Sequence, residues 1–288
     1  MTELIQNPIL STSPDPSSLE LEPGHPGLGD AAYVQRREEL FALCRKHRLE
    51  RRGPPIIQYT PDETAIWREV SRELDEPQRK HACSIYLKGK DTLAISTTEV
   101  PQLRHLSDRL QSKTGMHLVP AEGGLEFPTF YGSIAERGFP VTQFLRHKSQ
   151  PGFTPEPDMV HDCLGHVPPL MNGDYADFLT IIGKAAVAAN GEHRLVLQRF
   201  AWFTIEMGLV REGTDVKALG AAILSSTTEI NHALFSGEVV RQPFVTNVVI
   251  NAEYDYRQLQ NHLFIAPSFS FLRCELGHLL RRLNVQAA

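Results

Sequence analysis

Residues 154–169 read TPEPDMVHDCLGHVPP, and this stretch decides how the rest of the chain is interpreted. Asp158 follows a proline and is a good N-cap for a short helix, which Gly165 and the prolines after it can end. His161 and His166 would lie about 140° apart on a regular helix, because each residue advances by about 100°. They can bind one ion only if the helix ends or distorts between them, and Gly165 is placed to permit that. Such a pair alone is more often two unrelated histidines.

A third candidate ligand, Glu206, lies in the otherwise apolar segment RFAWFTIEMGLV, residues 199–210. An unpaired buried carboxylate is costly or takes up a proton, and a divalent cation offsets that cost. A salt bridge to Arg199 or Arg211 would offset it as well. The residues alone leave both interpretations open.

Two imidazoles and one carboxylate form the ligand set of non-haem Fe(II) oxygenases. Zinc accepts the same ligands, but zinc hydrolases with an HExxH motif need a glutamate beside the first histidine, where this chain has Asp162. Oxygenases that use 2-oxoglutarate carry an HxD…H set on a β-barrel, whereas these ligands lie on predicted helices. A non-enzymatic binding protein of the same fold would be expected to have lost one of the three metal-binding side chains, and all three are present here. The ligand types favour iron without excluding zinc.

The periodicity of apolar residues predicts a mainly α protein with a few short strands, folded as a single domain. The chain has 288 residues, enough for a substantial core. Residues 1–30 are rich in Pro, Ser, Gly and acids and are predicted to form a mobile N-terminal arm, followed by a domain over 31–288. The predicted helices include residues 60–87, 100–115, about 129–137, 175–191 and 195–212.

Composition excludes several classes of function. A net charge of −5 argues against a nucleic-acid binder. No apolar run approaches the roughly 18 residues of a membrane span, and the N-terminus does not resemble a signal peptide. The four cysteines include no CxxC pair, which is typical of a protein in a reducing cytoplasm.

Longer stretches of the chain resemble one known family. The central match is PEPDMVHDCLGHVPPL, followed 45 residues after His161 by Glu206 within WFTIEMGL. Together these motifs resemble the pterin-dependent aromatic amino acid hydroxylases, over about residues 55–270, which correspond to the family's catalytic domain. The chain is most similar to the short bacterial forms that resemble phenylalanine hydroxylase. Further matching pieces, in order, are KHACSIY (80–86), VPQL (100–103), TGMHLVPAEGGL (114–125), FPVTQFLRH (139–147), LSSTTEI (224–230) and QNHLFIAPSF (260–269).

The resemblance implies a role for each matching residue. His161, His166 and Glu206 match the iron ligands, and Arg146 matches the arginine that holds the amino acid carboxylate. The other residues implied at the substrate are Thr154 and Pro155 on a loop, Trp202 beside the ring, Met207, Ala222 and, near the carboxylate, Ser225. Those implied at the pterin are Phe130 for stacking, Asp162 for a polar contact and Tyr254 near the mouth of the site.

The resemblance also implies the reaction. Fe(II) and a tetrahydropterin, tetrahydrobiopterin or a related one, would activate O2 to hydroxylate the ring of a free aromatic amino acid, which we expect to be L-phenylalanine. Met207 and Ala222 stand where the family often has Phe and Gly, so L-tryptophan or another aromatic acid, and the ring carbon attacked, stay open. From a different class, a zinc-dependent hydrolase is the alternative. We expect a cytoplasmic enzyme that is a monomer or weak dimer.

Overall fold

The structure of the protein is a computed structural model, in which helices make up most of the chain. It describes residues 21–123, 125–152 and 154–286. Besides the α-helices, two helical turns of π type span His161–His166 and Trp202–Glu206, and a 3-10 turn spans Pro168–Met171. The α-helices in these ranges are α1 Ala31–Leu49, α2 Pro61–His81, α3 Ser84–Leu93, α4 Leu103–Thr114, α5 Phe127–Ala135, α6 Gly173–Ala188, α7 Gly191–Ala201, α8 Ala221–Leu224, α9 Thr227–Phe235, α10 Thr246–Val249 and α11 Phe269–Leu283.

The strands are short and form two small sheets. The strands are β1 His117–Pro120, β2 Gly138–Val141, β3 Leu209–Glu212, β4 Asp215–Ala218, β5 Val240–Pro243 and β6 His262–Ala266. β1 and β2 pair in parallel, with His117 opposite Gly138. The second sheet has the order β4-β3-β6-β5, in which only the β3–β4 pair is antiparallel. The prediction of a mainly α single domain with a few short strands is confirmed.

The start of α2 and the end of α4 lie where the sequence indicated. Thr60 caps α2 through a capping box, in which Thr60 and Glu63 each accept a hydrogen bond from the other's backbone N–H. Gly115 ends α4 with a φ of 74°, a left-handed conformation that glycine adopts without steric cost.

Two predicted helices are nevertheless too long, and tertiary pairing is the reason in both. The helix expected over 60–87 breaks at Ala82 and Cys83, because the Cys83 N–H donates to the carbonyl of Ala218 on β4. The helix expected over 195–212 stops at Glu206, after which the chain becomes β3 and pairs with β4 and β6. Local apolar spacing could not reveal these partners.

One large apolar core runs through most of the molecule, and a smaller cluster of Leu40, Phe41, Ile57 and Phe144 lies under α1. Both π-type turns, and therefore the candidate metal ligands, lie inside the large core. No helix in the described residues is long and apolar enough to cross a membrane.

The predicted N-terminal arm lies mostly outside the described residues, which begin at residue 21. Residues 21–30 form turns beside the domain. His25 is buried there, and its Nε2 lies 3.3 Å from Oε1 of Glu156. The mobile arm stays a prediction.

Candidate metal centre

Two π-type turns bring the candidate ligands together. The Val167 N–H donates to the Asp162 carbonyl over 3.1 Å, and the Met207 N–H donates to the Trp202 carbonyl over 2.8 Å. Both are bonds between residues five apart, which widen the turn relative to an α-helix and are frequent at functional sites. The wider turn places His161 and His166 on one side, so the distortion expected between the two histidines is present.

The three ligand side chains converge on one buried point. Nε2 of His161 and Nε2 of His166 lie 3.1 Å apart. Oε1 of Glu206 lies 3.3 Å from Nε2 of His166, and its Oε2 lies 3.7 Å from Nε2 of His161. Such spacings suit metal–ligand bonds of about 2.1 Å. Glu206 forms neither of the salt bridges to Arg199 or Arg211 that its sequence left open; among the described residues it pairs with the histidines.

Burial and mutual charge set the protonation of this group. Burial and the neighbouring His166 lower the pKa of His161 to about 4. For His166 burial opposes protonation, but the Glu206 carboxylate outweighs it and raises the pKa above its usual value. Burial alone would raise the pKa of Glu206, but the two imidazoles outweigh this effect and hold the pKa below its usual value. Without a metal, a proton on His166 therefore stabilises the carboxylate.

Ser225 fixes the orientation of the first histidine. Its Oγ lies 3.0 Å from Nδ1 of His161 and 3.3 Å from the carbonyl oxygen of Ala222. Because the hydroxyl proton goes to that carbonyl, Oγ accepts from the Nδ1–H of His161. The histidine then presents the lone pair of Nε2 to the centre, which is the form that binds a metal.

Two glycines allow the backbones around the centre to approach closely. A Cβ on Gly165 would lie 2.7 Å from the carbonyl oxygen of Ala221, and one on Gly220 would lie 2.2 Å from that of Glu206. Gly165 is therefore needed because the first π-type turn packs closely against α8. The sequence had suggested a different role for it, to permit the helix to distort between the two histidines.

A cleft opens on one side of the two histidines. Phe130 and Asp162, both predicted to contact the pterin, line it together with His161 and His166. The Asp162 carboxylate accepts hydrogen bonds from the N–H and the hydroxyl of Thr142, at 2.7 and 2.9 Å. Burial raises the pKa of Asp162 to about 7 despite these two donors.

Arg146 is buried and held in one position by Asp158. Its Nε and Nη2 donate to the two oxygens of Asp158 at 2.9 and 2.8 Å, and its Nη1 donates to the Pro151 carbonyl. These bonds use three of the five guanidinium N–H groups and leave two for a ligand carboxylate, as far as the described residues show. Asp158 also accepts from the N–H of His161, as expected of an N-cap, so one carboxylate links the arginine to the metal centre.

The remaining predicted substrate residues are arranged in two groups. Trp202 is buried and stacks on Tyr254, with ring centroids 4.6 Å apart, so Tyr254 contacts a predicted substrate residue instead of the cleft of Phe130 and Asp162. Met207 is buried directly after Glu206, and Ala222 is half-buried and accepts the Ser225 bond. Thr154 and Pro155 lie on the loop before Asp158, where Thr154 donates to the Glu156 carbonyl and Pro155 is exposed. Among the described residues, neither Thr154 nor Pro155 forms a hydrogen bond with a candidate metal ligand.

Sequence reasoning missed two features around the centre. The first is the pairing of Glu156, on the loop before Asp158, with Arg37 of α1 and with His25. The alternating acids and prolines of PEPD hinted at a fixed loop, but nothing in the sequence indicated Arg37 as the partner. The second is Tyr131, which is buried beside the ligands.

The residues present fit a divalent metal. Two imidazole nitrogens and one carboxylate face a common point, and among the described residues the buried Glu206 carboxylate pairs with these two histidines. A cation at that point would replace the proton on His166 as the partner of the carboxylate.

The fold and this site together define a class: a helical domain whose core carries the two-histidine, one-carboxylate ligand set used by non-haem Fe(II) oxygenases. The sequence model that represents the family of biopterin-dependent aromatic amino acid hydroxylases matches residues 10–286 of this chain. The chain belongs to the biopterin-dependent aromatic amino acid hydroxylase family.

Relatives in the family differ in their named substrates. The chain is 37% identical over 250 residues to a chloroplastic phenylalanine 4-monooxygenase of Pinus taeda, covering 85% of this chain and 69% of that protein. It is 37% identical to the phenylalanine-4-hydroxylase of Dictyostelium discoideum (93% of this chain, 60% of that protein) and 36% identical to the tyrosine 3-monooxygenase of Drosophila melanogaster (87% and 44%). The chain thus spans about two thirds or less of the length of most of these relatives.

Solved bacterial structures share the fold. Phenylalanine hydroxylase of Chromobacterium violaceum with bound Fe(III) superposes with a TM-score of 0.75 at 31% identity, covering 78% of this chain and 82% of that one. A structure of the same enzyme with iron(III) and 7,8-dihydrobiopterin has a TM-score of 0.74 at 28% identity, covering 84% and 92%. Phenylalanine hydroxylase of Legionella pneumophila has a TM-score of 0.75 at 29% identity, covering 80% and 94%.

Proposed function

We propose that this protein is a monooxygenase that hydroxylates the ring of a free aromatic amino acid, with L-phenylalanine as the preferred substrate. The observation that carries the proposal is the convergence of His161, His166 and Glu206 on one buried point. Family membership supports the dependence on iron and a reduced pterin. Phenylalanine hydroxylases among the relatives and structural neighbours support the substrate.

In the proposed reaction the chain holds the metal and excludes water. Fe(II) together with a tetrahydropterin supplies the electrons and the open coordination positions that activate O2. His161 and His166 offer Nε2, and Glu206 offers a carboxylate oxygen. All three are buried within the apolar core, which keeps bulk water from the reacting atoms.

The cleft beside the histidines is the proposed pterin site. The half-buried ring of Phe130 offers a face for stacking, and the Asp162 carboxylate is fixed by Thr142 where it can accept a hydrogen bond from a ring N–H. Tyr254 is proposed to act through its stacking on Trp202 instead of by contacting the pterin in this cleft.

The amino acid is proposed to bind between Arg146 and Trp202. Arg146 has two N–H groups left for the substrate carboxylate, and bidentate pairing with a carboxylate suits a guanidinium. Trp202 would form one wall of the ring pocket, and Thr154 and Pro155 the loop at its entrance. Met207 and Ala222 are proposed to decide which ring enters and which carbon faces the metal, so L-tryptophan or another aromatic acid is the alternative substrate.

Three further properties belong to the same proposal. Residues 1–30 form an arm that precedes a catalytic domain over 31–288, and the described part of this arm, residues 21–30, packs against the domain through His25 and Glu156. The enzyme is a monomer or weak dimer. It works in the cytoplasm, where its four cysteines, none of them disulfide-bonded in the structure, stay reduced.

The test is an activity assay with a panel of substrates. The purified protein is reduced, loaded with Fe(II) and incubated with tetrahydropterin, O2 and L-phenylalanine, L-tyrosine or L-tryptophan, and each product is identified by its ring position. We expect hydroxylation that requires both iron and pterin. We expect Glu206→Ala to lose both iron and activity, since it removes one of three ligands, while the exposed Glu238→Ala keeps both. Hydrolysis supported by zinc without pterin would contradict the proposal.

A further inference from the structure

A second, smaller cavity, with room for about one water molecule, lies beside the candidate metal ligands, between α5, α6 and the turn that carries Glu206. Its walls are mostly apolar. The polar residues that line it are His166, Glu206 and Tyr131. The apolar residues that line it are Phe130, Ile134, Phe139, Leu179, Ile182, Ala201 and Ile205.

The hydroxyl of Tyr131 is unsatisfied in this cavity. Tyr131 is 2% exposed, and its ring is fixed by Phe127 and Phe130, with centroids 4.5 and 5.3 Å away. Its hydroxyl oxygen has no hydrogen-bond partner among the described residues, although a buried tyrosine hydroxyl normally finds one. Burial and the nearby charge of Glu206 hold the pKa of Tyr131 above its usual value, so the phenol stays protonated and can donate.

The acceptor that matches this donor lies in the same cavity. Oε2 of Glu206 is buried and likewise has no hydrogen-bond partner in the described part of the chain. The Tyr131 hydroxyl and this oxygen do not bond to each other directly. A single water molecule between two polar groups in an otherwise apolar cavity would satisfy both.

We propose that Tyr131 is a positioning residue of the metal site, whose hydroxyl donates through one water molecule to Oε2 of Glu206. This inference rests on the metal site proposed above. With Oε2 engaged by the water, Glu206 binds the metal through Oε1 alone, which preserves open coordination positions on the ion. Outer partners of ligating carboxylates orient them and strengthen metal binding in this way.

The experiment compares Tyr131→Phe, which removes only the hydroxyl, with wild-type protein. Co(II) serves as the probe because its visible spectrum reports how the carboxylate binds. We expect the Co(II) dissociation constant to rise about tenfold and the visible spectrum to change. The melting temperature of the metal-free protein should stay equal or rise, since an unsatisfied hydroxyl is lost.

Tyr59→Phe is the matched control. Its hydroxyl lies outside the cavity and donates to the Gln143 carbonyl, so this variant should lose some stability and keep wild-type Co(II) binding. Unchanged affinity and spectrum in Tyr131→Phe would overturn the proposal and leave the metal site standing. A larger loss of metal-free stability than in Tyr59→Phe would overturn it too, since the hydroxyl would then have a structural partner. Absence of Co(II) binding in wild-type protein would overturn both the proposed function and this role.

Discussion

At the scale of single residues, hydrogen bonds to the ligands decide whether the three side chains can act together. Ser225 shows this most directly. The sequence resemblance implied a contact with the substrate carboxylate, whereas the structure places its Oγ 3.0 Å from Nδ1 of His161. The two roles differ in what they affect: one concerns the substrate and the other concerns the metal.

Ser225→Ala separates these roles. We expect Fe(II) or Co(II) to dissociate about ten times more readily, because His161 loses the acceptor that fixes its ring and its tautomer. Ser225→Thr, which keeps a hydroxyl, should restore most of the affinity. Metal titration of both variants is the measurement. Unchanged metal affinity with a raised KM for the amino acid would return Ser225 to the substrate role.

At the scale of elements, two π-type turns carry the three candidate metal ligands. A regular helix would spread His161 and His166 around its axis, while the bond from Val167 to Asp162 widens the turn and brings them to one side. The first turn also packs so closely on α8 that there is no room for a side chain at Gly165 next to Ala221.

Gly165→Ala tests the importance of this packing. The added methyl group would meet the Ala221 carbonyl oxygen at 2.7 Å, so the turn and α8 must separate. We expect a loss of about 1–3 kcal/mol in the free energy of unfolding and weaker metal binding. Chemical denaturation of the metal-free protein measures the first, and metal titration the second.

Gly173→Ala at the start of α6 is the matched control, because a Cβ there meets nothing within 4 Å. It should leave stability equal or slightly higher, since alanine favours helix more than glycine does. Equal stability of the two variants would mean that the backbone at Gly165 yields without cost.

At the scale of the whole molecule, the pH dependence of stability should reveal a buried acid on α9. Glu229 on α9 has an oxygen with no hydrogen-bond partner among the described residues, and burial raises the pKa of Glu229 to about 7. The folded protein therefore holds this proton more tightly than the unfolded chain, whose glutamate titrates at its ordinary value. The contribution of this proton to the free energy of unfolding is fully present below the ordinary pKa of glutamate. It is lost as the pH rises through the pKa of about 7 in the folded protein.

Glu229→Gln should remove this dependence. The variant is expected to gain stability relative to wild type between about pH 4.5 and 7, by about 3 kcal/mol at the upper end. Urea denaturation at several pH values measures the difference, and the exposed Glu238→Gln should show none. Parallel pH profiles for wild type and Glu229→Gln would contradict the burial of an uncompensated carboxylate.

The sequence by itself determined the helical character, the family and, through the family's motifs, the three candidate metal ligands. His161, His166 and Glu206 were identifiable because PEPDMVHDCLGHVPPL and WFTIEMGL resemble the family, whereas the residue types alone left two unrelated histidines and a salt bridge of Glu206 open. The start of α2 and the end of α4 followed from capping residues, which act through bonds to their nearest neighbours in the chain.

Only the tertiary structure decided how these parts meet. The break at Cys83 and the pairing of Glu156 with Arg37 depend on partners more than 100 residues away in the chain. The strand that follows Glu206 pairs with the neighbouring β4 and also with β6, more than 50 residues further on. The place of the Tyr131 hydroxyl is also invisible locally, because the walls of its cavity come from four separate segments. Apolar spacing reports which face of a helix is buried, but the contact that stabilises a widened turn or orients a buried acid is made by another part of the chain.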